Sequence, residues 1–522
     1  MDKVGSSANN QELSEKAGVR TSFWDYLSLL SGNLFLIPLG IVSITMTTRI
    51  LGPEGFGYIA IFNLVATFVV MLTTNWTATS LIRFGREEYD QDGKLNRTFW
   101  ARTVILTPCF LIGIVIIYFW RSFIADYMMM PSWALWLVIG SALILTARTY
   151  LDYTLQAIRR MKAYAAIQIA FGAASIVGLT LIYVGLFPKT YIAVIIVGLI
   201  ANAIILIILS LFLIPHGVLF PPKADRKMIR EVFSFSYPMM IGNLAAYVVN
   251  WIDVIVIKHY FSIPDVGGYQ LAYSLFNFLG GLIGSVTVLI TPILVSFLGA
   301  KREDLILRYS TRLVPQGFLL WTTLIGVVLS ICPQIFGIVF GEGFRISSIY
   351  FQYLAIGLVI SGLIYFYSGE ITAFKLVKLG AIAGAGRGIV NLVGDIFLIP
   401  KMGPLGAALS TTAGIIVASF FYLLICQRRL QERILWQFIL VLPALLSLGI
   451  SRMLSGPQAP VLAIVVTLAS SLCLARILRL FRPDDLVLFD FIQMPSSFKK
   501  AIIWAYPLLT PKVKHRSEEE IP

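Results

Sequence analysis

The sequence predicts an all-α protein that crosses a membrane about 14 times. Hydrophobic residues make up 58% of its 522 positions and charged residues only 13%, whereas about a quarter of an average soluble domain is charged. Its mean hydropathy is +0.83. Apolar runs of about 20 residues, the length of one helical span, recur along the chain. The sequence lacks the segments of about 10 residues with alternating polarity that build a membrane β-barrel.

Short charged breaks between these runs set the predicted spans. They lie at about 27–48, 57–81, 100–120, 133–157, 164–187, 190–214, 233–257, 267–298, 314–340, 347–370, 380–400, 405–426, 436–454 and 460–480. The polar stretch 1–26 lacks the apolar core that follows a basic start in a signal peptide. We therefore expect it to be an N-terminal segment ahead of the first span.

Lysine and arginine are concentrated in every second connection. The connections after spans two, four, six, eight, ten and twelve hold Arg83, Arg86, Lys94, Arg97, Arg102, Arg159, Arg160, Lys162, Lys223, Arg226, Lys227, Arg230, Lys301, Arg302, Arg308, Arg312, Lys375, Lys378, Arg428, Arg429 and Arg433. The other connections hold about one each. Since basic loops stay in the cytoplasm, both termini are predicted to be cytoplasmic, including the tail 481–522. The net charge of +14 then reflects topology and attraction to anionic lipids, and we expect no nucleic-acid partner.

The chain carries two related halves. "LGPEGFGYIAIFNLV" (51–65) matches "SIPDVGGYQLAYSLF" (262–276) at an offset of 211, which pairs Pro53, Glu54, Gly57 and Tyr58 with Pro264, Asp265, Gly268 and Tyr269. "GLFPK" ending at 189 and "FLIPK" ending at 401 match at an offset of 212. The offset spans six helices, so both halves enter the membrane in the same sense. This predicts two six-helix lobes, 27–214 and 233–426, related by a pseudo-two-fold axis along the membrane normal, plus two extra helices at 436–480.

Residues 49–62 form a first corner and residues 262–276 form a second, both predicted on the outer face. Glycine and proline suit a tight reversal there. Glu54 and Asp265 are positioned to cap the helices that follow.

Three segments resemble the polysaccharide flippases of the multidrug/oligosaccharidyl-lipid/polysaccharide exporter superfamily. They are "RILGPEGFGYIAIFNL" (49–64), "FGEGF" (340–344) and "NLVGDIFLIPKMGPLGAALSTT" (391–412). The resemblance implies a two-lobed bundle whose central cavity opens alternately to either side. It implies movement of an oligosaccharide linked to undecaprenyl diphosphate, or to a similar polyprenyl carrier, across the cytoplasmic membrane. The partners expected from it are this lipid-linked substrate, membrane lipids, a glycan polymerase and export proteins.

Polar groups inside spans are costly and are candidates for function. Span eleven carries Arg387, Asn391 and Asp395 along one face. Arg387 could hold a diphosphate and Asn391 could bind sugar hydroxyls, or all three could join neighbouring helices. The surrounding "GAGRG" (384–388) is interpreted as close helix packing.

Two further arginines could likewise have either a structural role or a role in binding the substrate. In span four, Arg148 and Asp152 are four residues apart, which predicts either an ion pair or a headgroup contact. Arg49 ends span one, where it could reach the interface or contact a phosphate.

Other candidates lie in spans two, seven, eight and ten. Asn250 and Asn63 could contact sugar or pack between helices. Asp253, Glu370, Asp395 and Asp152 could couple transport to an ion, because a charge that moves down the membrane potential supplies work. Asp253, which precedes Lys258 and His259, could instead form an interhelical pair. Tyr269 and Tyr273 could stack on sugar rings or pack in the bundle.

The sequence gives no sign of an enzyme. It has no Gly-x-x-x-x-Gly-Lys-Ser/Thr motif for nucleotide hydrolysis, and its four cysteines are too scattered for a disulfide framework or a metal site. We expect no cofactor. A drug or cation antiporter of the same superfamily is the first alternative, although Arg148 and Arg387 favour anionic cargo. A membrane polymerase or ligase is the second, although the outward connections are short.

Overall fold

The structure, a computed structural model, describes the backbone of residues 3–482 and 485 except positions 216, 224, 455 and 457. It describes side chains from residue 37 onwards, except 286, 288 and 289. The regular elements of this part are all helices. In chain order the α-helices are α1 Lys3–Thr73, α2 Ala78–Asp92, α3 Asn96–Phe119, α4 Arg121–Met128, α5 Leu135–Ala157, α6 Met161–Tyr183, α7 Tyr191–Leu213, α8 Arg226–Tyr260, α9 Ile263–Gly299, α10 Glu303–Arg308, α11 Val314–Phe340, α12 Ser347–Ala373, α13 Val377–Met402, α14 Pro404–Leu430, α15 Leu442–Met453 and α16 Ala459–Ile477.

The described part contains 13 helices that are long and apolar enough to cross a membrane. One of them, Ile37–Thr73, includes parts of predicted spans one and two. These two parts are separated by Gly52, whose φ of 66° and ψ of −176° break the helix. A positive φ is readily adopted by glycine, and Pro53 can begin the next helix because its missing N–H is not needed there. The prediction of an all-α polytopic membrane protein is confirmed.

Predicted span two, 57–81, is not one continuous helix. Helix α1 ends at Thr73, a 3₁₀ turn follows at Asn75–Thr77, and α2 begins at Ala78. The hydroxyl of Thr77 donates to the carbonyl of Thr74 at 3.0 Å. Such hydroxyl groups offer the backbone partners other than the regular helical ones, which explains the break inside an apolar run.

The fully buried Arg102 stabilises this break. It belongs to α3, within the predicted span 100–120, whereas the charge pattern counted it with the connection after span two. Its Nε donates to the Thr77 hydroxyl at 2.9 Å, and its guanidinium lies 4.0 Å from the centre of the Tyr150 ring. An aromatic face attracts a desolvated cation, so Arg102 contributes to the packing of this break.

The chain forms two compact units. The first comprises residues 1–278, 337–347 and 395–407, and the second comprises residues 279–336, 348–394 and 408–522, each within its described part. The first unit has an apolar core that includes Leu81, Leu151, Leu155, Ile167 and Phe171. The predicted tail 481–522 lies almost entirely outside the described residues.

The two corners meet inside the first unit. A Cβ added to Gly57 would overlap the carbonyl of Ile263, and a Cβ added to Gly267 would overlap the carbonyl of Pro53. At Gly343 the added atom would lie 2.9 Å from the Pro53 ring. Glycine is therefore required where these backbones approach one another.

The corners differ in how their helices begin. Asp265 accepts the backbone N–H of Ser262 at 3.1 Å, and the Ser262 hydroxyl donates to it as well. This is the return half of a capping box at the start of α9, so the predicted role of Asp265 is confirmed. Glu54 lies exposed in the first corner and makes no capping hydrogen bond to any described residue.

In the second unit, the last two helices attach to α11 through small and polar side chains. Ser330 and Ser447 share a hydrogen bond of 2.8 Å, and Thr323 donates to Ser471 at 2.7 Å. Lipid tails are as apolar as leucine side chains, so the hydrophobic effect does not bring helices together inside a bilayer. Small polar residues instead allow close contact and hydrogen bonds between the helices. Helices α15 and α16 are thus packed elements of this unit.

Candidate functional site

Arg148 and Asp152 form a shared polar cluster with Gln168 in the first unit. The Arg148 Nε lies 3.7 Å from an Asp152 carboxylate oxygen. Gln168 accepts from Arg148 and donates to Asp152 at 3.1 Å. The guanidinium also lies 4.4 Å from the centre of the Phe171 ring. The four-residue spacing along α5 produces the ion pair, and Gln168 of α6 completes the cluster. The charge of Arg148 is therefore neutralised locally.

Arg387 in the second unit has different surroundings. It is half-buried on α13, and it has no ion-pair or hydrogen-bond partner among the residues that the structure describes. An added Cβ at Gly384 or Gly386 would meet nothing within 4 Å. The interpretation of "GAGRG" as close packing is therefore wrong at these two positions. The backbone of Arg387 does approach helix α14 closely, because a Cβ added to Gly414 would lie 2.7 Å from the Arg387 carbonyl oxygen. The guanidinium is left available to an anion.

Asn391 and Asp395 continue along α13 and are buried. Asn391 is 3% exposed and donates to the Thr411 hydroxyl at 3.1 Å, a bond to the adjacent helix α14. Asp395 is fully buried in the first unit. The contact of Asn391 is the one expected from the packing alternative.

Arg49 binds the end of a helix. Its Nε donates to the carbonyl of Val339 at 2.8 Å, and its Nη2 donates to the carbonyl of Ile338. These two residues lie in the last turn of α11, where carbonyls have no partner inside the helix and attract cations. In this structure Arg49 therefore caps α11 beside the first corner.

The polar face of α8 is joined to α9 by two tyrosines. The Tyr269 hydroxyl donates to the buried carboxylate of Asp253, and the Tyr273 hydroxyl lies 3.4 Å from the Asn250 side-chain oxygen. The two rings stack at 5.8 Å between centroids. Because Tyr269 is fully buried, it has no exposed face for a sugar.

Glu370 is a buried carboxylate of the second unit. It is fully buried on α12 and accepts a hydrogen bond of 2.5 Å from the Ser310 hydroxyl. Its second carboxylate oxygen has no hydrogen-bond partner among the described residues. A carboxyl group in such surroundings can take up a proton or pair with a cation.

Asn63 is exposed and lines a cavity of the first unit together with Gln270 and Ser274 of α9. Sequence reasoning did not select the two α9 residues. Their four-residue spacing in an apolar run was the signal that could have identified them. In the part of the chain that the structure describes, no cluster of three or more His, Cys, Asp or Glu could hold a metal ion.

Comparison with known sequences identifies related membrane proteins. A family model described as "Polysaccharide biosynthesis protein" matches residues 24–298. A probable low-salt glycan biosynthesis flippase, Agl15 of Haloferax volcanii, is 26% identical over 191 residues, which are 36% of this chain and 40% of that protein. An uncharacterized membrane protein of Methanocaldococcus jannaschii, MJ1068, is 24% identical over 224 residues, 40% of this chain and 42% of that protein. The chain thus matches about two fifths of the length of each relative.

Solved structures share the fold. The lipid II flippase MurJ in an inward closed conformation has a TM-score of 0.67 and 14% identity, and covers 86% of this chain and 98% of its own. An inward-facing multidrug resistance MATE transporter of the multidrug/oligosaccharidyl-lipid/polysaccharide exporter superfamily has a TM-score of 0.58 and 12% identity, covering 78% and 98%. Together with the family model, which covers more than half of the residues, they confirm the resemblance seen in the sequence. The chain belongs to the polysaccharide biosynthesis protein family and has the fold of that exporter superfamily.

Proposed function

We propose that this protein is a flippase that moves a polyprenyl-diphosphate-linked oligosaccharide or polysaccharide precursor across the cytoplasmic membrane. It works by alternating access, as a multi-pass inner-membrane protein with both termini in the cytoplasm. It is a transporter and not an enzyme. The family match and the name of the Haloferax volcanii relative support glycan transport. A glycan polymerase and export proteins would take the product onwards.

The choice of an anionic cargo rests on the surroundings of Arg387. It is an arginine on a membrane span without an acidic partner in the described chain. A guanidinium can donate two parallel hydrogen bonds to a phosphate, whereas a cationic drug would be repelled. The open surface at Gly384 and Gly386 gives such a headgroup room beside it.

The energy source we propose is an ion gradient or the membrane potential. Asp253 and Glu370 are carboxylates buried within spans, each bound by a hydroxyl group. Such a group can gain and lose a proton or a metal cation as its surroundings change. Asp395 is a third candidate. An ionophore that collapses both the potential and the proton gradient should stop export in cells, and continued export at the normal rate would contradict this coupling.

The function itself is tested with a deletion strain. It should accumulate the lipid-linked precursor on the cytoplasmic side, where an added enzyme that oxidises or cleaves sugars cannot reach it in intact cells. Lysed cells should expose the same precursor to that enzyme, and a restored wild-type gene should return it to the outer surface. Flipping is the wrong activity if intact deletion cells show precursor outside at the normal rate.

A further inference from the structure

The first unit contains a cavity of about 300 Å³ with a distinct chemistry. It lies among α1, α6, α7 and α9. Its polar lining consists of Ser43, Thr47, Asn63, Ser175, Gln270 and Ser274. The other lining residues are apolar and include Phe56. All side chains described around the cavity are hydroxyl, amide or apolar, and none is charged.

Gln270 lines this cavity, and its amide is incompletely hydrogen-bonded within the described part of the chain. Its side-chain oxygen is buried without a hydrogen-bond partner among the described residues. Its nitrogen is 3.4 Å from the Ser274 hydroxyl, a long contact. A buried acceptor without a donor is destabilising, and most such atoms in folded proteins are satisfied. Because this oxygen is closed to a water-sized molecule, a ligand in the cavity can meet the amide only at its nitrogen, whose hydrogen-bond partner among the described residues is the distant Ser274 hydroxyl.

The lining selects for an uncharged ligand that carries several hydroxyl groups. Each hydroxyl of a sugar can donate and accept, which matches a wall of amides and hydroxyls. A phosphate or carboxylate would lose its water and find no cation. The apolar residues and Phe56 suit the C–H faces of a pyranose ring. The volume lies at the lower limit of small-molecule pockets, which suits a single ring better than a chain.

We propose that this cavity is a subsite for one uncharged sugar ring, with Gln270 and Asn63 as the residues that determine its specificity. This inference rests on the proposed glycan transport and makes it more specific. The chemical class of the ligand is a neutral hexose or N-acetylhexosamine unit of the cargo. Uronic acids and free amino sugars are excluded because the side chains described around the cavity include no charged partner for them.

Gly198 allows a direct test because it lines the cavity and has space for a side chain. A Cβ added there would meet nothing within 4 Å. Gly178 also lines the cavity, but its added Cβ would lie 3.0 Å from Val197. The variant Gly198→Leu should therefore fill the cavity without a backbone clash. Gly140 on α5 is the matched control, because it has the same free space and lies outside the lining.

The experiment uses the purified full-length protein in lipid nanodiscs and saturation-transfer NMR. The probes are glucose, galactose and N-acetylglucosamine as neutral sugars, with glucuronic acid and glucosamine as charged ones. We expect at least one neutral sugar to give a signal above that of empty nanodiscs, and the charged sugars to give none. Loss of an amide hydrogen bond should weaken that signal about fivefold in Gln270→Ala. Gly198→Leu should remove it, and Gly140→Leu should retain it.

Three results would overturn the subsite: no signal from any neutral sugar, equal signals from charged sugars, or a neutral signal that survives in both Gly198→Leu and Gln270→Ala. If Gly140→Leu also loses the signal, Gln270→Ala and Asn63→Ala decide. The measurement requires no transport, so it is independent of the deletion strain. Sugar binding together with normal precursor export in that strain would reject the flippase and keep the subsite.

Discussion

Arg148 and Arg387 are both arginines on apolar helices, but their surroundings are opposite. Arg148 is held by Asp152, Gln168 and the Phe171 ring. Arg387 stands beside two glycines with open space and has no polar partner in the described chain. A desolvated cation costs several kcal/mol unless it is paired. The neutralised arginine therefore stabilises the bundle, and the available arginine is the better candidate for binding the cargo.

Replacing Arg387 should have the largest effect on transport. In Arg387→Ala, export of the glycan should decrease at least about tenfold, because the charge-assisted bonds to the diphosphate are lost. The amount of protein in the membrane should stay normal, since Arg387 has no partner among the described residues to leave unpaired. Export can be measured with the surface-accessible precursor, and membrane content with an immunoblot.

Lys378 provides the matched control for this prediction. It is an exposed cation near the start of the same helix, so Lys378→Ala should leave export near the wild-type rate. An Arg387→Ala protein that exports normally would remove Arg387 from the binding site. A parallel loss in both variants would indicate a general effect of positive charge on α13.

Replacing Arg148 should reduce stability more than it reduces transport per folded molecule. Arg148→Ala leaves the carboxylate of Asp152 with Gln168 alone. Breaking a buried pair costs about 3–5 kcal/mol. We expect about 2 kcal/mol because these side chains are 30% and 15% exposed and solvent screens them. Thermal unfolding of the detergent-purified protein would measure the loss.

The double variant Arg148→Met/Asp152→Leu tests how much of the stability loss comes from leaving one charge of the pair without its partner. Apolar residues of similar size should recover most of the lost stability, because neither charge is left alone. Equal melting temperatures for the single and double variants would show that the ion pair is not what Arg148 contributes.

Removing the bridging amide should have the smallest effect. Gln168→Leu keeps the ion pair and loses the two hydrogen bonds of the amide, so we expect a cost of about 1 kcal/mol and export within about twofold of wild type. The same unfolding and export measurements apply. A loss as large as that of Arg148→Ala would mean that the amide, and not the ion pair, organises the cluster.

The order and type of the helices could be predicted from the sequence because a bilayer sets the length and polarity of each span. The break inside span two could not. Span two is interrupted after Thr73, where hydroxyl groups and Arg102 provide contacts that hydropathy does not report. Counting Arg102 with the connection after span two was wrong for the same reason, since a charge count cannot distinguish a solvated cation from one buried against an aromatic ring.

The candidate site was only partly predictable. Spacing along one helix anticipated the pair of Arg148 and Asp152, because residues four apart are neighbours on a helix. Contacts between distant helices left no such local signal, and they include the carbonyls bound by Arg49 and the hydroxyl bound by Asn391. The cavity at Gln270 was also missed, since its lining comes from four helices far apart in sequence.

The contact between the two corners depends on a difference between the two related halves. At the offset of 211, Gly267 corresponds to Phe56. Phe56 packs against Phe344, whereas Gly267 accommodates the Pro53 carbonyl. A phenylalanine at 267 would collide with that carbonyl. Two identical copies of the first half could not make this contact, because both would carry phenylalanine at this position.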